Sequence, residues 1–475
     1  MADTQPSSTL FFYRWRYVLG YSLIGLLLAC ALLLCGLYLP GGLSSHEMSS
    51  VVESTQLSLK QPQSFAIINL PYYTLLRLSL HFFGVHDLSI KLPSLILALV
   101  SVIALVFLLR RWFLQNIAVL TALIAITTGQ FLFVAQDATP SILYIFWPIT
   151  LLLLGTLVSR EIKPRIIWML LFFIAAAFSV YTPLGVYPLL AMVLAAFLHP
   201  HLRHVIRRLP NWWLILGCIF AGIILTPLGY TVFHHPSTAL SLLGVPPHWP
   251  NILTNVHTLR HQYFTFWQPT TTTLMTPVFG LGSVLLMCVG LYRLIHTRDT
   301  TQSYLLIIWV ICLIPVLIFN PSYTTVTFLP AVLLLAFGLR QLISYWYRLF
   351  PRNPYARIAG LISLGVLVVT LVGSGLARYI EGYYYSPQIA STFSRDLAQL
   401  PNDTTNLVVA PQEQPFWQAV AHYRPTLTVT TTPDAGRYTV THAAQQALPI
   451  DPSSITRIIT TGTRENADRF YLYNK

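Results

Sequence analysis

Long apolar runs, separated by short basic or Pro/Gly-containing breaks, fill most of the chain, and a polar, alternating stretch closes it. The runs fall at roughly 18–39, 90–109, 115–135, 141–158, 166–181, 184–198, 212–231, 273–292, 303–319, 324–340 and 358–377. Most approach the ~20 residues a helix needs to cross a hydrocarbon core. The stretch 166–198 is too long for one crossing. Tyr181-Thr182-Pro183-Leu184-Gly185 splits it, because Pro disfavours continuation and Gly permits a turn.

The segment "NLPYYTLLRLSLHFFG" (69–84) is apolar but short. Tyr73, Arg77 and His81 recur at i, i+4 and i+8 and share one helical face. That pattern suits a helix lying in the membrane interface rather than crossing it. If it lies flat, nearly all basic clusters between spans fall on one side: Arg14 and Arg16, Arg110 and Arg111, Arg160 to Arg165, Arg203 to Arg208, Arg293 and Arg298, and Arg340 to Arg357. The other side then receives only Lys60, Arg77, Lys91 and Arg260 before the tail. The positive-inside rule selects this arrangement. It predicts eleven spans, a cytoplasmic N-terminus and an extracytoplasmic C-terminal domain in a multi-pass protein of the cell (plasma) membrane.

From about residue 379 the pattern changes. "NLVVAP", "TLTVTT", "RYTVT", "ITRIITT" and "RFYLY" alternate as half-buried strands do, and "PFWQAVAHY" reads as a crossover helix. The predicted architecture is an all-α polytopic membrane domain over 1–378, with juxtamembrane helices in the loop 40–89 and a long outer segment at 232–272. A small α/β domain follows over 379–475.

Composition supports this picture. Only 9% of residues are charged and 55% are hydrophobic, against ~25% charged in soluble domains. The net charge of +13 is spread among loops rather than gathered in one patch, which excludes nucleic acid as the partner. All five cysteines lie inside apolar runs, so neither a disulfide framework nor a zinc motif is present.

The predicted topology gathers candidate chemistry on the outer face. Before the tail, that face has four carboxylates: Glu47, Glu53, Asp87 and Asp137. Ser44-Ser45-His46-Glu47 fits the S-x-x-E capping box, yet His46 and Glu47 also stand side by side in a chain with few charges. Gln136-Asp137 ends an apolar helix, where an acid is costly to bury and so rarely idle. His234-His235 is a weak metal candidate, because zinc sites need more ligands at defined spacing. His257, Arg260 and His261 share a face that reads as solvated or headgroup-facing. Arg260 and Lys91 are among the few outer cations able to hold a phosphate.

"NLPYYTLLRLSLHFFGVHDLSIKLPSLILALVSVIALVFLLRRWF" resembles the N-terminal region of the GT-C glycosyltransferases that use polyprenyl-phosphate sugars, such as the protein O-mannosyltransferases and the aminoarabinose transferases. Their usual order is His-Pro-Pro-x-Tyr-Tyr, an amphipathic helix, Phe-Gly, then Arg-Leu-Pro-Ser opening a span. Asn69-Leu70-Pro71-Tyr72-Tyr73, Phe83-Gly84 and Lys91-Leu92-Pro93-Ser94 take those places here. The family's Asp-Glu pair after the first span lands on His46-Glu47, and its polar turn after the third on Gln136-Asp137. Two residue types depart from the pattern: His46 replaces an Asp and Lys91 an Arg. The late turn, where bacterial relatives often show an Arg, reads Ser322-Tyr323-Thr324-Thr325.

The resemblance implies transfer of a sugar, with inversion, from a lipid phosphate to a glycan, lipid or protein acceptor. Glu47 with His46 would be the base, and Lys91 would hold the donor phosphate. Asp137 would orient or charge-balance the site. Arg77, Tyr72, Gln136 and Arg260 would complete the substrate surface. Membrane lipids and the polyprenyl-phosphate sugar are the implied partners; no cofactor is implied with certainty, and a divalent metal is left open. Two other readings stay open, a lipid-linked-sugar flippase and a catalytically silent scaffold. The flippase fits less well, because apart from Lys91 and Arg340 at their edges the spans contain no Asp, Glu, Lys or Arg.

Overall fold

A computed structural model describes residues 11–37, 42–57, 67–264, 278–297, 300–350, 354–381, 392–433, 436–448, 452–460 and 469–474. Each of the eleven predicted apolar segments carries a helix. Six described helices are long and apolar enough to cross a membrane, two bent helix pairs each pass the same test together, and three shorter apolar helices complete the set. The chain is thus a mostly helical multi-pass membrane protein.

The elements nearest the first loop position the site. They are α1 (Phe11–Leu37), α2 (Ser45–Gln56), α3 (Leu70–Phe83), α4 (Asp87–Trp112), α5 (Gln115–Ile126), α6 (Gly129–Gln136) and α7 (Leu143–Ser159). The 14 residues of α3 rise about 21 Å at 1.5 Å each, short of a ~30 Å core. Asn69 enters α3 in the left-handed region, and Gly84 (φ 73) leaves it.

The sequence treats 115–135 as one span, but the structure bends it by 60° between α5 and α6. Thr127 and Thr128 return their hydroxyls to carbonyls of the last turn of α5, and Thr128 also accepts from the Phe131 N–H that opens α6. Side chains that satisfy the backbone at a break stabilise it. The bend aims Gln136 and Asp137 at the start of α4.

In the tail, all five predicted strands form one sheet. In chain order they are β3 (Asn406–Val408), β4 (Thr428–Thr430), β5 (Arg437–Thr441), β6 (Ile455–Thr460) and β7 (Arg469–Asn474), and their spatial order is β4-β3-β5-β7-β6. β3 is parallel to both β4 and β5, whereas β7 runs antiparallel to β5 and β6. The crossover helix Gln414–Tyr423 lies where the alternating pattern breaks.

The tail is not set apart from the helices. Phe416, Trp417, Val420 and Phe470 belong to the same buried cluster as Leu43 and Val51 of the first loop. Two short strands, β1 (Leu43–Ser44) and β2 (Phe393–Ser394), pair antiparallel, with Leu43 opposite Ser394 and Ser44 opposite Phe393.

Candidate active site

Four segments meet around Lys91. From α2 comes Glu47, from α4 Lys91 and Ser94, from the end of α6 Gln136 and Asp137, and from β2 Phe393. Lys91 and Ser94 are three residues apart and therefore share a helical face. Burial separates them from solvent: Glu47, Gln136, Ser94 and Tyr72 are fully buried and Lys91 nearly so.

Glu47 performs the capping role its spacing allows. The Ser44 N–H donates to Glu47 Oε2 at 2.7 Å, and the Glu47 N–H to Ser44 Oγ at 3.2 Å. Its other oxygen does more. Oε1 accepts from the Ala138 N–H at 2.8 Å and lies 3.6 Å from Lys91 Nζ. One carboxylate thus caps α2, satisfies the backbone leaving α6 and neutralises a buried ammonium. A buried pair needs such extra hydrogen bonds to offset its desolvation.

Lys91 Nζ also donates to Gln136 Oε1 at 3.3 Å. Among the described residues the Gln136 amide nitrogen has no hydrogen-bond partner although it is buried. It is a free donor beside a cation, the kind of buried group that invites a ligand. Tyr72 OH and Ser94 Oγ are 2.9 Å apart, and Ser94 donates to the Asp137 carbonyl at 2.7 Å. Burial keeps the Tyr72 hydroxyl well above its ordinary pKa, so it stays a neutral donor.

Asp137 differs from Glu47. It keeps part of its surface open, and Thr139 donates to Oδ2 at 2.5 Å. Burial first, and the Glu47 charge second, push its carboxyl up to about 7, although the Thr139 hydrogen bond and Lys91 pull it down. Two carboxylates beside one lysine cannot both ionise freely, so the second holds its proton near neutral pH.

The other residues singled out from sequence fall elsewhere. His46 is exposed, and among the described residues its ring makes no hydrogen bond; its carbonyl accepts from Ser49 and Ser50. Arg77 is half-buried on α3 and faces the tail, where its charge opposes the upward push of burial on the Tyr423 hydroxyl. Arg260 is exposed on the helix Ile252–Phe264 and enters no ion pair among the described residues. His234 and His235 are exposed; the His234 ring packs on Tyr230 at 4.2 Å between centroids, and its Nδ1 lies 2.9 Å from the Tyr230 carbonyl. Among the described residues no three His, Cys, Asp or Glu side chains group as metal ligands.

Sequence reasoning missed Ser94, Thr139 and Phe393. The first two carried a signal in spacing, three residues from Lys91 and two from Asp137. Phe393 carried none. Another contact emerges only in three dimensions: Tyr144, at the start of α7, packs edge-on to Tyr323 at 5.8 Å. Nearby on α3, burial and then the Glu53 charge push the Tyr73 hydroxyl up to about 12.

Comparison with known proteins bears on this arrangement. Residues 70–230 match the family of dolichyl-phosphate-mannose-protein mannosyltransferases. The fold is similar to that of ArnT from Cupriavidus metallidurans in the apo state, with 14% identity, a TM-score of 0.52 and coverage of 96% of this chain and 98% of that one. ArnT bound to undecaprenyl phosphate matches at 12% identity and a TM-score of 0.50, over 95% and 97% of the two chains. The archaeal oligosaccharyltransferase AglB from Archaeoglobus fulgidus, in complex with an inhibitory peptide and a dolichol-phosphate, matches at 14% identity and a TM-score of 0.53. The match covers 87% of this chain and 64% of AglB. No curated protein sequence matches the chain. The chain has the GT-C fold that ArnT and AglB share, and the family match lies within residues 70–230 of it.

Proposed function

We propose that the protein transfers a sugar from a polyprenyl-phosphate donor to an acceptor hydroxyl, with inversion, at the extracytoplasmic face of the plasma membrane. The observation that carries this is the buried Lys91 ammonium beside the Gln136 amide, which is unpaired among the described residues, with the Asp137 carboxyl next to them. Lipid phosphates on ArnT and AglB support the donor class, and the distribution of basic loops supports the side of the membrane.

In this reading Lys91 Nζ and Gln136 Nε2 hold the donor phosphate, while the lipid tail stays in the bilayer. Asp137 takes the proton of the acceptor hydroxyl. The oxygen attacks the anomeric carbon from the face opposite the phosphate, the C–O bond to phosphate breaks, and the phosphate leaves with the electron pair. Fixed cationic and amide donors stabilise that developing charge in a site of low dielectric. Asp137 suits the base better than Glu47. A base needs an open lone pair and a pKa near the working pH, and both Glu47 oxygens already accept backbone hydrogen bonds. Glu47 instead neutralises and orients Lys91. His46, on the exposed start of α2, stands outside this pathway.

The test is transfer from lipid-linked sugars by the purified chain in membranes, comparing wild type with Asp137→Asn and Lys91→Ala. Loss of one positioned base or one oxyanion donor costs about 10²–10⁴-fold in rate. Equal turnover by all three proteins would remove the assignment.

A further inference from the structure

The C-terminal segment reaches into the site. β2 pairs with β1 and sets Phe393 opposite Ser44, the residue whose N–H is held by Glu47 Oε2. The approach is close: a Cβ on Gly42 would stand 2.6 Å from the Ser394 carbonyl oxygen. Phe393 presents its ring to the Lys91 ammonium, with Nζ 5.9 Å from the centroid.

Neither polar contact of Lys91 is tight. Charge-assisted N–H···O bonds usually close to about 2.7–2.9 Å, whereas Nζ stands 3.6 Å from Glu47 and 3.3 Å from Gln136. Lys91 is a compact charge on a flexible four-carbon stem, and an ion pair alone would draw it onto Glu47. An aromatic face attracts a desolvated ammonium from another direction. The nitrogen is therefore held between ring, amide and carboxylate rather than collapsed onto the carboxylate.

We infer that Phe393 is a positioning residue, by which the C-terminal segment holds the Lys91 ammonium ready for a phosphate. The inference rests on the reading of Lys91 as the phosphate-binding cation. It makes the tail part of the site, coupled through β1–β2 and through the packing of the helix Gln414–Tyr423 on α2.

The experiment measures undecaprenyl phosphate binding to the full chain in nanodiscs, with thermal unfolding of each variant alongside. Phe393→Leu keeps bulk but removes the aromatic face, and weakens binding about 5- to 30-fold, the range of a desolvated cation–π contact. Phe393→Tyr restores binding to within about threefold, because the ring face remains. Gly42→Ala, which displaces β2 without touching the site, shifts binding in the same direction as Phe393→Leu and carries the test should that variant not fold. In a Lys91→Met background Phe393→Leu has no further effect, since the pair it breaks is already gone. Unchanged binding by Phe393→Leu, or an equal loss in the Lys91→Met background, overturns the inference while leaving the phosphate site standing. Absence of binding by the wild type overturns the phosphate site itself.

Discussion

Lys91 Nζ lies 3.6 Å from Glu47 Oε1, with the two side chains 3% and 0% exposed. This pair joins the first loop to the start of α4. Removing one partner of a buried pair costs about 3–5 kcal/mol, because the other charge is left uncompensated. Lys91→Met falls toward the lower end, since Glu47 keeps the Ser44 and Ala138 N–H groups. Adding Glu47→Gln to Lys91→Met recovers part of the loss. Thermal unfolding of the two single variants and the double variant in one detergent measures the coupling.

Asp137 gives the protein a pH signature of definite sign. Its carboxyl, near 3.8 when unfolded, is raised to about 7 in the fold. The native state therefore keeps a proton that the unfolded chain has lost. The stability this contributes is complete below about pH 4 and disappears as pH rises through 7. Between pH 5 and 8 the melting temperature of wild type accordingly falls relative to Asp137→Asn. Under the proposed role of Asp137 as the base, turnover moves the other way, rising through pH 7 as the carboxyl ionises, and this limb is missing in Asp137→Asn. Parallel curves for both proteins in both measurements would contradict the assignment.

Helices Leu281–His296 and Phe328–Leu349 cross at Gly290 and Gly338, where a Cβ on Gly338 would run into the Leu286 carbonyl. Small residues allow such backbone approach in membranes. Gly338→Val forces the helices apart and costs about 1–3 kcal/mol, as overpacking does. Gly365, with nothing among the described residues within 4 Å of its added Cβ, behaves oppositely: Gly365→Ala gains about 0.5–1 kcal/mol of helix stability. Chemical unfolding of the two variants separates the cases.

Much of this was legible in the sequence because it depends on local pattern. Apolar length marked the helices, alternation marked β3 to β7, and the Ser44–Glu47 spacing marked a cap that the fold realises. Gln136-Asp137 and Lys91 stood out as polar residues beside long apolar runs. The role of Glu47 was not legible. A cap explains its spacing, and nothing local shows that its second oxygen meets Ala138 and Lys91, which depend on the bend at Thr127-Thr128.

Along the chain, then, hydrophobic period and charge placement determined a many-helix membrane protein with a sheet at its end and a few suspect polar residues near helix ends. Those properties arise within a turn or two of backbone. Which residues share a site was decided only by packing: the seating of Trp417 and Phe470 against the first loop, and the two-residue ladder that lays Phe393 over Lys91. Such contacts join segments far apart in sequence, and neither partner carries a local mark of the other.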